Sequence, residues 1–89
     1  MAKKRFEIKW NEHGSQETWE RTAKMATGEA RELSILFDDL VENGLVASYN
    51  IKEYPMPTED FDFHSVKGHL RLRYGAKMLA LNIPAFVED

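Results

Sequence analysis

The sequence contains no cysteine, which excludes disulfides, thiolate metal sites and thiol nucleophiles. No run of apolar residues approaches the roughly 20 that a membrane helix needs. The start, Met-Ala-Lys-Lys-Arg, is basic, but Glu7, Lys9 and Asn11 interrupt the next segment with polar side chains, so the chain lacks the apolar stretch of a signal peptide. We therefore expect a cytoplasmic protein that does not associate with a membrane.

Motifs for catalysis and for metal binding are also missing. The five glycines are isolated from one another, so no glycine-rich phosphate loop is present, and no serine lies in a G-x-S-x-G turn. Asp60, Asp62 and His64 alternate with aromatic residues, and in a strand they would line one face about 7 Å apart. Three such side chains in a row rarely converge on one ion, and their spacing matches no recognised metal site. We expect no catalytic residues, no metal and no cofactor, and hence no enzyme.

The length of 89 residues predicts a single domain, residues 1–89. A domain of this size buries only about 60% of the surface that its unfolded chain exposes. Pairing with a second copy would add buried area, so a homodimer is a natural extension of the fold.

The first 25 residues contain two segments in which apolar and polar residues alternate, as is typical of strands with one buried face. Between them, Gly14 follows His13, and glycine can adopt the positive φ that a chain reversal often needs. We predict an antiparallel hairpin, with the two tryptophans meeting across the strands. Its buried residues are Phe6, Ile8 and Trp10 in the first strand and Trp19, Ala23 and Met25 in the second.

A helix is predicted over residues 28–43, with Thr27 capping its start, Glu29 in its first turn and Gly44 closing its end. Ala47, Tyr49 and Ile51 then share one side of a third strand, which ends before Pro55. The matching apolar faces predict a core in which the helix packs on the sheet. That core would contain Leu33, Phe37, Leu40 and Val41 from the helix and Phe6, Ile8, Tyr49 and Ile51 from the strands.

The last third of the chain allows two interpretations. Strict alternation over 69–74 favours a strand, with 61–66 as its hairpin partner and a short helix near 76–82. The alternative is one helix through 58–82, whose apolar stripe would be Phe63, Val66, Leu70, Tyr74, Met78 and Leu81. We prefer the strand, because the single helix would project Leu72, Leu79 and Ile83 from its opposite side. The predicted fold is therefore α+β: a small, mostly antiparallel sheet with a strand–strand–helix–strand core, a C-terminal hairpin and short helix, and one amphipathic helix packed on one face.

Charge is segregated along the chain. Residues 29–62 contain nine acidic and two basic side chains, whereas residues 63–87 contain no acidic one. Such asymmetry can steer a partner or pair two copies of the chain. The candidate binding residues are therefore the basic cluster Lys67, Arg71, Arg73 and Lys77 with nearby Tyr74, and the acidic residues Asp38, Asp39 and Glu42.

Two functions fit this pattern, and a third, weaker interpretation is a small enzyme or metal protein built around Asp60, Asp62 and His64. The first is a small, non-catalytic interaction or regulatory protein that binds another protein through a strand edge or a charged helix face. The second is a nucleic-acid-binding module, in which the cluster at 67–77 meets phosphates and Tyr74 stacks on a base. The net charge of −3 disfavours the second, because nucleic-acid-binding domains usually carry a basic excess.

Overall fold

The computed structural model describes residues 3–58 and 61–81, which form three strands and two helices. In chain order these are β1 (Lys4–Glu12), β2 (Thr18–Met25), α1 (Thr27–Glu42), β3 (Val46–Glu53) and α2 (Phe63–Ala80). β1 is the central strand of one sheet, with β2 and β3 antiparallel to it on either side. The predicted α+β class and the strand–strand–helix–strand order are confirmed.

The predicted hairpin is formed by β1 and β2. Trp10 lies directly opposite Trp19, and their rings stack with centroids 6.1 Å apart. Gly14 adopts a positive φ of 82° in the turn, as the sequence predicts. Phe6, Ile8 and Trp10 are all buried, so the alternation of β1 correctly identifies the inner face of the sheet.

On its other side β1 pairs with β3, where Tyr49 and Ile51 face the core as predicted. The prediction that Ala47 shares that side is wrong, because Ala47 is exposed. The register shifts beside Glu12, opposite Val46, where β3 contains one extra residue. This irregularity turns Val46 inward in place of Ala47.

The capping residue predicted for α1 is also wrong, since Thr27 is already the first helical residue and Ala26 precedes the helix. Alanine offers no side-chain acceptor. Instead, the carboxylate of Glu29 reaches back and accepts a hydrogen bond from the Ala26 N–H at 2.9 Å. At the other end, Gly44 has a φ of 76°, and the N–H of Leu45 bonds back to the last turn at 2.9 Å, which is the predicted left-handed closure.

Residues 63–80 form one continuous helix. The strand at 69–74, its partner at 61–66 and the separate helix near 76–82 are therefore wrong, and the alternative of a single helix is correct in type. Its bounds differ, because the helix begins at Phe63 and not at 58, and Leu81, expected in the apolar stripe, follows the end of the helix and is 50% exposed. Asp62 starts α2 by accepting a hydrogen bond from the Ser65 N–H at 2.9 Å. This bond lowers the pKa of Asp62 below its ordinary value, because it favours the charged carboxylate.

Both helices cover the same face of the sheet, α1 over β3 and α2 over β2. The core prediction holds for Leu33, Phe37 and Leu40, but Val41 is 38% exposed and Leu36 takes its place inside. From α2, the hydroxyl of Tyr74 accepts a hydrogen bond from the Trp10 indole at 3.0 Å. The remaining buried side chains of α2 are Phe63, Val66, Leu70 and Met78.

The opposite face of the sheet is polar and uncovered by the described residues. Lys9 lies between Glu7 and Glu20, at 3.9 and 3.3 Å, and Lys52 lies 3.6 Å from Glu7. The molecule thus has two layers, with charged rows on one outer side and the two helices on the other. Neither helix combines the length and the apolar composition needed to cross a bilayer.

Candidate functional site: the outer face of the helical layer

The outward side of α2 carries an uncharged stripe. Leu72 is 88% exposed and Leu79 is 58% exposed. The two are seven residues apart, so they project from the same side of the helix. Gly68 and Ala76, one turn before and after Leu72, are also exposed. We call these four residues the α2 stripe.

The outward side of α1 is acidic. Its centre is Ile35, which is 55% exposed. Carboxylates lie three, four and seven residues away along the helix, which places them around the same exposed side. Arg31 is also on this side and Lys67 of α2 lies 3.6 Å from Glu32, so four carboxylates against two cations still leave a net negative charge. We call this surface the α1 acidic face: Ile35 with Glu32, Asp38, Asp39 and Glu42.

The three predicted acidic binding residues all belong to this face. The carboxylate of Asp38 accepts a hydrogen bond from the Tyr49 hydroxyl at 2.7 Å. Burial, together with this carboxylate, raises the pKa of Tyr49 above its ordinary value. Asp39 is half-buried, and its carbonyl oxygen accepts a bond from the Asn43 side chain at 2.8 Å. Glu42 is exposed in the last turn of the helix.

Arg71 and Arg73 do not share a face, because residues two apart on a helix project about 200° from each other. The strand prediction had placed them side by side. The guanidinium of Arg73 donates to the carboxylate of Glu12, with Nε 3.1 Å away, and lies 4.2 Å from the ring centroid of Trp19. The hydrogen bond from Arg73 holds the pKa of Glu12 below its ordinary value.

The other residues of the predicted basic cluster are also separated. Lys67 lies 3.6 Å from Glu32 of α1 and over the ring of Phe63 at 5.5 Å. Tyr74 is buried, and this burial raises its pKa. Lys77 is exposed beside the turn at Gly44. The cluster at 67–77 is therefore spread around α2, with Lys67 and Arg73 already in ion pairs.

Sequence reasoning missed a groove between α2 and β2. His69 packs against Trp10 and Trp19, with ring centroids 5.9 and 5.7 Å away. Burial lowers the pKa of His69, and the charges of Arg21 and Arg73 lower it further. Next to it lies a groove of about 270 Å³ whose rim includes Leu72. The assignment of His69 to a strand concealed this arrangement.

A larger open groove, of about 890 Å³, lies at the end of the sheet where β1 begins. Arg5 and Lys24 are directly opposite each other across β1 and β2, so two like charges stand side by side. Lys3 and Tyr54 also line this groove. The basic residues at the start of the chain are the feature of the sequence that could have indicated this groove. They were considered only as part of a possible signal peptide.

In the described part of the Asp-x-Asp-x-His segment, Asp62 and His64 do not lie in a common strand. Asp62 caps α2, and His64 is exposed in the first turn of that helix. Asp60 lies outside the described residues. Within residues 3–58 and 61–81, no three His, Cys, Asp or Glu side chains are grouped so that they could hold a metal ion.

Comparison of the chain with protein-family models, curated proteins and solved structures found no match. The fold and the surface chemistry of the chain are therefore the guides to its function.

Proposed function

We propose that this chain is a small, non-catalytic protein that binds a protein partner through the outer face of its helical layer. The observation that carries the proposal is the α2 stripe, in which Leu72 is 88% exposed and Leu79 extends the same uncharged line. Single exposed leucines are ordinary on protein surfaces. Two leucines on one helix side, separated by small residues, instead resemble the apolar anchors with which helices bind each other.

The charge around the stripe specifies the partner's chemistry. Arg71 lies beside Leu72 on one side, and Arg73, which is paired with Glu12, lies on the other; α2 contains no acidic residue. A complementary surface would present an apolar side chain surrounded by carboxylates. Charge complementarity mainly sets the association rate and the choice of partner, whereas a buried apolar anchor such as Leu72 supplies affinity. The strand edge considered at 69–74 is not available for binding, because those residues are helical.

The proposal is tested with a photo-crosslinking amino acid at position 72, compared with the same group at Asn50 on the open face of the sheet. Asn50 is a matched control because it is exposed on the opposite side of the molecule. We expect a discrete protein adduct from position 72 in extracts of the native host. Excess wild-type protein should compete it away, and excess Leu72→Glu protein should not. The same adducts from both positions would refute the proposal.

A second candidate, nucleic-acid binding, is favoured by the groove at the start of β1 and not by the cluster at 67–77. Lys3, Arg5 and Lys24 line this groove, and Tyr54 adds an aromatic ring. If phosphates bind there, the logarithm of the affinity should fall linearly with the logarithm of the salt concentration. Fluorescence anisotropy with single- and double-stranded oligonucleotides measures this directly. Binding that is lost in the Arg5→Glu, Lys24→Glu double variant would support the second candidate, and no binding at low salt would eliminate it.

A further inference from the structure

We infer that a second copy of this chain is a partner for the outer face, forming a two-fold dimer in which α1 of each protomer lies on α2 of the other. The inference rests on the proposed function, since it names the occupant of the same surface. The α2 stripe calls for an apolar side chain surrounded by carboxylates. The α1 acidic face of the same molecule is such a surface, with Ile35 55% exposed at its centre.

The two helices run in the same direction, which determines how two copies can pair. Near their starts, Glu32 of α1 and Lys67 of α2 are 3.6 Å apart. Near their ends, Gly44 and Lys77 line the same groove. The helical layers of two copies can face each other across a two-fold axis. This axis lies between the two layers and runs parallel to the helices.

This axis exchanges the helices, so that α1 meets the partner's α2 and every contact occurs twice. An axis perpendicular to the helices would instead place α1 on α1 and α2 on α2. That arrangement would bring four carboxylates against four carboxylates and basic helix against basic helix. Charge complementarity therefore selects the first arrangement.

The positions of the side chains along the helix axes, here called their levels, agree with the arrangement in which α1 lies on the partner's α2. The ion pair between Glu32 and Lys67 brings these residues to similar levels, so Ile35 lies near the level of Leu70. Leu72 is two residues further along, a shift of about 3 Å. Rotation about a parallel axis preserves these levels, so Ile35 meets the partner's Leu72. By the same count Leu79 lies level with Gly44, where α1 has ended, so Leu72 is central and Leu79 is at the rim.

The size of the contact indicates whether the dimer is permanent or reversible. α1 and α2 contain 16 and 18 residues, so they are about 24 and 27 Å long, and two helix diameters span about 20 Å. The footprint is roughly 500 Å² on each protomer, or about 1,000 Å² in total, which is near the lower limit for a specific interface. Interfaces of this size are typical of weak or transient association, so we expect a reversible dimer.

Sedimentation velocity over two orders of magnitude in concentration tests the inference on the purified chain. Leu72→Glu and Ile35→Glu should each give monomers, whereas Met56→Glu should still dimerise. Met56 is a matched control because it is an exposed apolar residue that lies on neither helix. Circular dichroism of each variant verifies that it is folded.

A charge exchange distinguishes this arrangement from any other use of the same face. By the same count Asp39 is level with Tyr74, three residues or about 4.5 Å beyond Arg71, which is within reach of a long arginine side chain. Asp39 of each protomer would therefore lie near Arg71 of the other. Asp39→Lys and Arg71→Glu should each weaken self-association, because both copies of this contact then oppose like charges. An equimolar mixture should restore a heterodimer, since one copy of the contact is native and the other is reversed. Recovery by at least tenfold in affinity over either variant alone is the expected result.

The outcomes separate the two proposals. A chain that stays monomeric at all concentrations, yet gives the adduct at position 72 in extracts, overturns the dimer and leaves the proposed function intact. A monomer without the adduct overturns both. A dimer that survives both Leu72→Glu and Ile35→Glu, or a mixture that shows no recovery, overturns the α1-on-α2 arrangement.

Discussion

Truncation of Phe37 to alanine should destabilise the protein more than truncation of any other side chain in α1. Phe37 is fully buried between two aromatic neighbours. Its ring centroid lies 5.3 Å from that of Trp10 and 5.1 Å from that of Tyr49, on which it stacks at an angle of 14°. The side chain therefore joins α1 to both β1 and β3.

The expected loss can be worked out from these contacts. Burying a phenylalanine contributes about 1.5–3 kcal/mol, and aromatic pairs add about 0.5–1.5 kcal/mol beyond the buried area. With the cavity that truncation leaves, the free energy of unfolding should fall by about 3–5 kcal/mol. A chain of this length has a total stability of roughly 4–13 kcal/mol. Phe37→Ala should thus melt at least about 12 °C lower.

Urea unfolding followed by circular dichroism, at a concentration below that of dimer formation, measures the loss. Val41→Ala is the matched control, because Val41 is on the same helix but exposed, and it should change stability by less than about 0.5 kcal/mol. If Phe37→Ala does not fold, Phe37→Leu should still be less stable than Val41→Ala. Equal stability of the Phe37 and Val41 variants would refute the assignment of this core.

Three further predictions concern other parts of the molecule. Because burial lowers the pKa of His69 below 6.5, the unfolded chain takes up a proton that the folded one excludes. The melting temperature should therefore fall as the pH drops below about 6.5, and His69→Gln should flatten this fall in differential scanning calorimetry. Gly68→Ala should stabilise the dilute monomer to urea by about 0.5–1 kcal/mol, because the added methyl meets open space, whereas Gly44→Ala should destabilise it because φ is 76°. Calorimetric titration with zinc, manganese or magnesium should show no specific heat, and a stoichiometric site lost in His64→Ala would contradict this.

The hairpin and α1 could be predicted from the sequence because each has a single repeating pattern with clear ends. Phe6, Ile8 and Trp10 alternate without interruption, and Gly14 and Gly44 adopt the positive φ expected of them. The cap of α1 was not predictable from residue preference alone. Glu29 bonds to the backbone of Ala26, so an acidic residue in the first turn takes the role expected of Thr27.

α2 was misread because a short helix segment can imitate a strand. Leu70, Leu72 and Tyr74 alternate with polar residues, which satisfies the period of a strand. In the helix, Leu70 and Tyr74 are four residues apart and both buried, whereas Leu72 projects from the opposite side. Its exposure is what makes the pattern ambiguous, and it is also what makes this residue a candidate for binding. The proposed binding surface could not be predicted while the helix itself was in doubt.

The position of α2 in the chain has a consequence for how the protein folds. The three described strands and α1 lie within the first 53 residues, whereas α2, which covers the sheet over β2, comes later in the chain. The indole N–H of Trp10 finds its acceptor 64 residues later, at Tyr74. Such distant contacts form late, because the intervening chain must be ordered before they can form. During synthesis, the nascent chain therefore exposes an aromatic surface to water until α2 emerges from the ribosome. In that interval the chain is most prone to aggregate or to be bound by a chaperone.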